Sequence, residues 1–183
     1  MRIIRLKKTL GSDFPRIPTR LLGDLGELYV MVELQRREYS PELKAGQSGF
    51  DIFEARAGKR IEVRTSLLKN EGLYPNGINF YGWRVENREQ KKDNKYDFLV
   101  CVSIPPSFRK PRFFIFTKEE AFKVGDVSLG RFGTVKKKIH FFENSACFKR
   151  ARSGKPKHVT QYERYINDNP HKFENCWNKI PKN

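Results

Sequence analysis

The fold is decided by the stretch from Gly49 to Ser66, which reads GFDIFEARAGKRIEVRTS. On both sides of its Gly58 turn, side chains alternate with the period of two that is typical of half-buried β-strands. Asp51 lies in the first run and Glu62 in the second. We therefore predict a hairpin that carries one isolated carboxylate on each strand.

Two registers are compatible with this hairpin, and they differ in the distance between the two acids. A tight turn from Ala55 to Gly58 sets Asp51 directly opposite Glu62, with Cβ atoms about 5 Å apart. A two-residue loop at Gly58 and Lys59 keeps both acids on one face but separates them by roughly 13 Å. Only the first register makes a metal site.

Facing carboxylates repel each other, and a partly buried pair also loses hydration, so a cation or a shared proton has to compensate. Magnesium is a suitable ion because it prefers carboxylates together with water and phosphate oxygens. Arg64 follows Glu62 by two residues and so lies on the same face, about 7 Å further along the strand. From there it could hold a phosphate group.

The composition points to a polyanionic partner. The 183 residues are most simply one domain, which we take as 1–183. Lys and Arg number 37 against 21 Asp and Glu, a net charge of +16 that exceeds what solubility requires. No apolar run approaches the roughly 20 residues of a membrane span, and the first residues do not resemble a secretory signal. We expect a nucleic-acid partner, no membrane partner and a cytoplasmic location.

The cysteines and histidines do not suggest metal binding or disulfides. The three cysteines are odd in number, widely spaced and without a Cys-x-x-Cys pair. Cys101 lies in an apolar run and is interpreted as a small core residue. The histidines likewise lack metal-binding spacing.

A helix is predicted from about Thr19 to Glu38, after a basic arm at residues 1–17 that is either a phosphate-binding segment or a solvated terminus. Its apolar stripe is of the kind that faces a core. Glu27 lies outside that stripe on a second apolar flank, and it is either a sheltered carboxylate or a helix-edge acid paired with Arg20 or Arg36. The stripe consists of Leu21, Leu25, Leu28 and Val32, widened by Leu22 and Tyr29.

The rest of the chain alternates strands with helices, which favours an α/β fold with three layers, α/β/α, around a central mixed β-sheet. The run beginning at Tyr96 is continuously apolar, as expected of a strand buried on both faces. Thr117 and Glu120 form a capping box for a short helix. A C-terminal helical extension is predicted at about 160–183, with Asn169 as the N-cap and Pro170 in the first turn of its last helix. Strands are predicted at residues 39–43, 78–85, 96–104 and 112–117.

The aromatic residues of the 78–85 strand have two interpretations. Phe80, Tyr81 and Trp83 either stack on unpaired bases or pack in the core, which is the commoner fate of such rings. Basic residues are concentrated between Arg109 and Lys157, beyond what solvation needs. We predict nucleic-acid binding by Lys136, Lys137, Lys138, Lys149, Arg150 and Arg152.

A helix with Gly26 and Glu27, then Gly49-Phe50-Asp51, then Ile61-Glu62-Val63-Arg64-Thr65 resembles the PD-(D/E)XK nuclease superfamily, whose fold is restriction-endonuclease-like. The arrangement looks most like archaeal Holliday junction resolvases and related small endonucleases. The resemblance extends from about Leu21 to Ala121.

The resemblance implies a metal-dependent endonuclease that hydrolyses DNA phosphodiester bonds, with Mg²⁺ or Mn²⁺ as cofactor. Asp51 and Glu62 would be the metal-binding acids, Glu27 the helix carboxylate that completes the site, and the backbone carbonyl of Val63 a further ligand. Branched DNA is a candidate substrate. A homodimer is expected, since two sites related by a two-fold axis cut both strands most easily.

The sequence departs from the family pattern at two positions. Phe50 stands where the motif has its proline, and Arg64 stands where it has its lysine. Arginine cannot act as a base, although it can bind the scissile phosphate and stabilise negative charge. Two alternatives therefore stay open: a catalytically impaired accessory factor of the same fold that binds DNA or RNA, and an RNA-binding protein whose acids are ordinary strand residues.

Overall fold

A mixed five-stranded β-sheet lies at the centre of the computed structural model of this protein. The structure describes residues 17–44, 49–71, 78–87, 96–105, 110–124, 126–129, 135–142 and 170–182. Its helices and strands are α1 (Thr19–Arg36), β1 (Pro41–Leu43), β2 (Ile52–Glu54), β3 (Lys59–Leu67), β4 (Lys69–Glu71), β5 (Ile78–Asn87), β6 (Phe98–Ile104), β7 (Arg112–Thr117), α2 (Lys118–Val124), β8 (Asp126–Leu129) and β9 (Val135–Phe142).

The strand order in the central sheet is β1-β2-β3-β6-β7. Strands β3 and β6 run parallel, whereas the other neighbouring pairs are antiparallel. Every residue of β6 is buried, which confirms the prediction of a strand covered on both faces. A bidentate ion pair between Arg60 and Asp97 joins the first residues of β3 to those that precede β6.

The first of the two hairpin registers is the one observed. Ile52 pairs with Ile61 and Glu54 with Lys59, so residues 55–58 form the turn. Gly58 closes this turn with φ of 64°, a conformation that glycine adopts without steric cost. Inside the hairpin, the buried carboxylate of Glu54 accepts hydrogen bonds from the backbone N–H groups of Ser40 and Ala57, at 2.9 and 2.6 Å.

Helix α1 covers one face of the central sheet, and only part of the predicted stripe contributes: Leu22, Leu25 and Tyr29 are half-buried against the core. The residues it buries are Gly26, Val30 and Leu34, while Leu21 and Leu28 are exposed. The helix has apolar residues on two flanks, so periodicity alone identifies two possible packing faces. The flank beside Glu27 is the apolar one that packs, as expected from Val30 and Leu34.

A second sheet and α2 cover the other face of the central sheet. The strand order in this antiparallel sheet is β4-β5-β9-β8. Tyr81 and Trp83 are buried between the sheets, and the Trp83 indole N–H donates to the carbonyl of Val102 at 3.0 Å. Core packing is therefore the fate of these two rings. Cys101 is also buried on this face, as predicted.

The α/β class, the central mixed sheet and the layers on both of its faces agree with the prediction. The content of the third layer differs, because a four-stranded sheet accompanies the short helix α2. The predicted capping box of α2 is present: the N–H of Thr117 donates to Glu120, and the N–H of Glu120 donates to Thr117 Oγ1, at 2.9 and 3.2 Å.

The C-terminal segment packs on the central sheet without forming the α-helix that we predicted. Residues 170–182 contain two short 3-10 helices, Pro170–Lys172 and Trp177–Lys179. Residues 173–175 instead bond to the edge of β7, and an Arg112–Glu174 ion pair holds them there at 2.7 and 2.8 Å. The predicted positions 160–169, and the arm at residues 1–16, lie outside the described residues.

Candidate active site

Asp51 and Glu62 meet on one face of the β2–β3 hairpin. The observed pairing of Ile52 with Ile61, continued by one residue, sets Asp51 opposite Glu62. The Asp51 N–H donates to the carbonyl of Ile61 at 3.0 Å, and Asp51 Oδ2 accepts the N–H of Val63 at 2.7 Å. The backbone therefore fixes the Asp51 carboxylate against β3. The predicted convergence of these two acids is present in the structure.

Arg64 binds Glu62 rather than leaving it free. The Arg64 guanidinium forms an ion pair with Glu62 Oε1. Glu62 is buried, whereas the Arg64 side chain is about half exposed, 46%. The guanidinium can therefore reach solvent and a bound anion while the carboxylate stays sheltered. The sequence predicted that both side chains share a face but did not predict their pairing.

Glu27, on α1, lies within electrostatic range of Asp51 and Arg64. The structure shows no ion pair from Glu27 to Arg20 or Arg36 within the described part of the chain, and Arg36 binds Glu33 at 2.6 Å instead. The residues whose charges act on Glu27 are Asp51, Asp24 and Arg64. Of the two interpretations of Glu27, the structure therefore favours the sheltered carboxylate.

A close contact between α1 and β3 brings Glu27 to this position. A Cβ atom added to Gly26 would lie 1.8 Å from Thr65 Oγ1, so only glycine allows the helix to approach so near. The Thr65 hydroxyl is buried without a hydrogen-bond partner. The role of Thr65 was missed in the sequence. A glycine in the middle of an apolar helix was the signal for a close approach.

The three carboxyl groups all hold their protons more tightly than usual. Burial raises the pKa of Glu62 to about 7, and the charges of Asp51 and Glu27 add to a rise that Arg64 opposes. Burial, then the charges of Asp51 and Asp24, raises the pKa of Glu27 to about 7, again against Arg64. Burial also raises the pKa of Asp51, which the Val63 N–H and Arg64 partly offset. Acids in this state would be stabilised in their charged form by a cation.

The donor set suits a hard divalent ion, although Glu62 is committed to Arg64. Carboxylate oxygens from α1, β3 and the residue before β2 are the ligands that Mg²⁺ and Mn²⁺ prefer. Among the residues that the structure describes, however, no three His, Cys, Asp or Glu side chains are grouped as a ready-made metal site. The ion pair with Arg64 occupies one oxygen of Glu62, Oε1. The carbonyl of Val63 stays a predicted ligand.

The predicted nucleic-acid-binding residues are only partly within the described chain. Three of them, Lys136, Lys137 and Lys138, lie on β9, an interior strand of the second sheet. In the strand register, the backbone of Lys138 lies opposite Arg84 of β5 and Asp126 of β8. Lys149, Arg150 and Arg152 lie outside the described residues. No helix in the described portion has the length and apolar character needed to cross a membrane.

Comparison with known proteins finds likeness in structure but not in sequence. No family model matches the sequence. No curated protein sequence matches it either. A bacterial homing endonuclease, I-Ssp6803I, is similar in structure, with 18% sequence identity and a TM-score of 0.48 over 81% of this chain and 88% of that chain. A TM-score below 0.5 does not establish a common fold, so the function proposed below rests on the site itself.

Proposed function

We propose that this protein is a DNA endonuclease that depends on Mg²⁺ or Mn²⁺ and hydrolyses phosphodiester bonds, as the resemblance to PD-(D/E)XK nucleases implies. The observation that carries the proposal is the facing pair of Asp51 and Glu62, with Arg64 beside it and Glu27 next to it on α1. The net charge of +16 supports a nucleic-acid partner. Branched DNA and a homodimeric assembly are the finer parts of the proposal.

The residues would divide the chemistry between them. Asp51, Glu62, Glu27 and the Val63 carbonyl would hold the ion, which when bound acidifies water and stabilises charge on a phosphate. Arg64 would bind the scissile phosphate through its two-pronged guanidinium and stabilise negative charge there. It would not act as a base, because its pKa is too high.

Phosphate binding would also free Glu62. In the structure, the Arg64 guanidinium has Glu62 as its anionic partner. A DNA phosphate is a competing anion for the same guanidinium, so substrate binding would release the carboxylate for ion binding. We therefore expect DNA and the divalent ion to bind cooperatively. Such cooperativity would let the ion bind even though, in the described residues, the carboxylates do not form a metal site before substrate binds.

A cleavage assay tests the proposal. Supercoiled, linear, single-stranded and branched DNA would be incubated with Mg²⁺ or Mn²⁺ and with wild-type protein or the Asp51→Ala and Glu62→Ala variants. We expect metal-dependent cutting that either substitution abolishes. Glu119→Ala, which removes an exposed acid from α2, is the matched control and should cut like the wild type. Cutting that survives both site substitutions would contradict the proposal.

The Arg64–Glu62 ion pair supports a second function, that of a catalytically impaired nuclease-fold protein that binds DNA or RNA as an accessory factor. In that case Arg64 would keep Glu62 neutralised permanently, and the acids would not recruit an ion. Tight binding of nucleic acid without cutting in either metal would establish this alternative. A clear preference for RNA over DNA would instead favour an RNA-binding protein.

A further inference from the structure

A cavity of about 380 Å³ lies between residues 36–39 at the end of α1 and Trp177, Asn178 and Lys182 of the C-terminal segment. We term it the α1-end cavity. Its volume is at the lower end of the range typical of small-molecule sites. None of the candidate active-site residues lines it, and Arg37 follows Glu27 by ten residues, about 15 Å along the helix axis. The α1-end cavity is therefore a separate candidate site.

Two segments that are far apart in the sequence build this cavity and are fixed to each other. Helix α1 ends in a turn at Glu38, whose φ of 65° is left-handed, and the N–H of Tyr39 donates back to the carbonyl of Leu34 at 3.1 Å. The Tyr39 hydroxyl lies 2.9 and 2.8 Å from the carbonyl oxygens of Trp177 and Ile180. The protein itself therefore holds the walls of the cavity in place.

Two of the residues that line the cavity carry a buried hydrogen-bond donor without an acceptor. These donors are the Nε–H group of Arg37 and the indole N–H group of Trp177, and within the described part of the chain neither has a partner. Trp177 is only 2% exposed, so its N–H group has little access to solvent. Buried donors are normally paired in native proteins, because an unpaired one loses its hydrogen bonds to water. A ligand that accepts hydrogen bonds would pair them.

The charge of the lining favours an anion as that ligand. Arg36, Arg37 and Lys182 line the cavity against a single acid, Glu38. The Glu38 side chain is 87% exposed, and its carboxylate lies 3.9 Å from Lys182 Nζ. Outside the lining, Glu33 pairs with Arg36 at 2.6 Å and more loosely with Arg37 at 3.4 Å. Even with Glu33 counted, the cations outnumber the acids, which opposes the partial negative charge at the end of α1.

The aromatic rings beside the cavity hold two of these cations. The Arg37 guanidinium lies over the Trp177 ring, 5.4 Å from its centroid, and Lys182 Nζ lies over the Tyr39 ring at 5.2 Å. Phe113 packs against the same Trp177 ring, at 5.3 Å between centroids. A guanidinium that lies over a ring keeps the donors along its edge available, and their planar geometry matches phosphate oxygens. The lining therefore suits a phosphate group better than a nucleobase.

We propose that the α1-end cavity is a phosphate-binding site. The Nε–H group of Arg37 and the indole N–H group of Trp177 would donate to phosphate oxygens, and Lys182 would supply further positive charge. A small phosphate compound and the backbone of a nucleic-acid strand offer the same chemistry, and the experiments below distinguish them. The proposal does not rest on the nuclease function, because neither the acids of the candidate active site nor a divalent ion takes part.

Nuclear magnetic resonance of protein labelled with ¹⁵N-tryptophan tests the proposal on the wild-type chain. The sequence has two tryptophans, whose indole peaks are told apart by the contacts of Trp177 with Phe113 and of Trp83 with Phe114. Inorganic phosphate in metal-free buffer of constant pH should shift the Trp177 peak until it saturates, because this N–H group gains an acceptor. The Trp83 peak should not move, since its N–H group already donates to Val102.

Three further probes identify the source of the phosphate. They are deoxyadenosine monophosphate, deoxyadenosine, and a DNA duplex whose phosphorothioate linkages resist cleavage. A tighter response of the Trp177 peak to the duplex than to the nucleotide assigns the phosphate to a nucleic-acid strand, and the reverse assigns it to a small ligand. Three results would overturn the proposal: no shift with any phosphate probe, an equal shift with chloride at the same ionic strength, or an equal shift with deoxyadenosine.

Substitutions test the assigned residues. Arg37→Gln should weaken phosphate binding by about tenfold or more, and Lys182→Gln, at an exposed position, by roughly threefold. Glu38→Gln should tighten binding by roughly twofold, because it removes the acid. Arg20→Gln, a matched change at the exposed start of α1, should leave binding unchanged. An unaltered Trp83 peak verifies the fold of each variant. Undiminished binding by both Arg37→Gln and Lys182→Gln would contradict the site. Because no experiment here measures cleavage, failure leaves the nuclease proposal to its own assay.

Discussion

The contact between α1 and β3 at Gly26 makes a sharp prediction for Gly26→Ala. The added Cβ would lie 1.8 Å from Thr65 Oγ1 and 2.9 Å from Thr65 Cβ. Rotating the Thr65 side chain moves the oxygen but not the Cβ, so the helix itself has to shift. Overpacking of this kind costs about 1 to 3 kcal/mol. Against it, alanine is favoured over glycine in a helix by about 1 kcal/mol.

Gly23→Ala is the matched control, since an added Cβ there meets nothing within 4 Å. Both substitutions gain the same helix propensity, so the difference in their free energies of unfolding isolates the overpacking term. We expect Gly23→Ala to stabilise by up to about 1 kcal/mol, and Gly26→Ala to fall below it by about 1 to 3 kcal/mol. Urea denaturation followed by circular dichroism measures both values.

Thr65→Ala supplies the rescue. It removes a buried hydroxyl that has no partner, so by itself it should cost little. It also removes Oγ1, the atom in closest contact, but keeps the Cβ at 2.9 Å, so the double variant Gly26→Ala/Thr65→Ala should recover only part of the loss. Equal stabilities of Gly26→Ala and Gly23→Ala, or no coupling between positions 26 and 65, would refute the close-approach reasoning.

Three further predictions concern the acids and the C-terminal segment. Because burial and neighbouring acids raise the pKa of both Glu27 and Glu62 to about 7, the folded state binds their protons more tightly than the unfolded state does. The metal-free protein should therefore lose stability as the pH rises from about 4.5 to about 7, and Glu62→Gln should flatten this slope in urea titrations across pH. Arg64→Lys should keep or raise metal-dependent cleavage of DNA, and a large loss would mean that the guanidinium itself is needed. Tyr39→Phe should lower the free energy of unfolding by about 1 to 2 kcal/mol, measured by thermal or urea denaturation. The reason is that the Tyr39 hydroxyl lies 2.9 and 2.8 Å from the carbonyl oxygens of Trp177 and Ile180. An unchanged stability would show that these contacts contribute nothing.

Local patterns predicted the elements that position the site. The turn before Lys59 followed from Gly58 and strand alternation, and it set Asp51 opposite Glu62. The unbroken apolar run of β6 and the capping box at Thr117 were equally local signals. Each of these features depends on residues a few positions apart, which is why the sequence alone was sufficient.

Features that depend on distant contacts were not predictable in the same way. Helix α1 has two apolar faces, and Gly26, through its close approach to Thr65, selects the one that packs. The aromatic strand β5 belongs to a second sheet that forms by pairing with β9, whose paired residues lie 49 to 62 positions later. The ion pair of Arg64 with Glu62 depends on the rotamer of a long side chain, which alternation along β3 does not determine.

Manganese binding, measured from the electron paramagnetic resonance signal of free Mn²⁺ at pH 8, tests the central claim most directly. Wild-type protein should remove about one ion per chain, more effectively with non-cleavable DNA present and much less below pH 6, where protons compete. Asp51→Asn and Glu62→Gln should abolish binding, whereas Glu119→Gln should not. If wild-type protein removes no ion with or without DNA, or if the Asp51 and Glu62 variants bind as well as the wild type, these carboxylates are not a metal site.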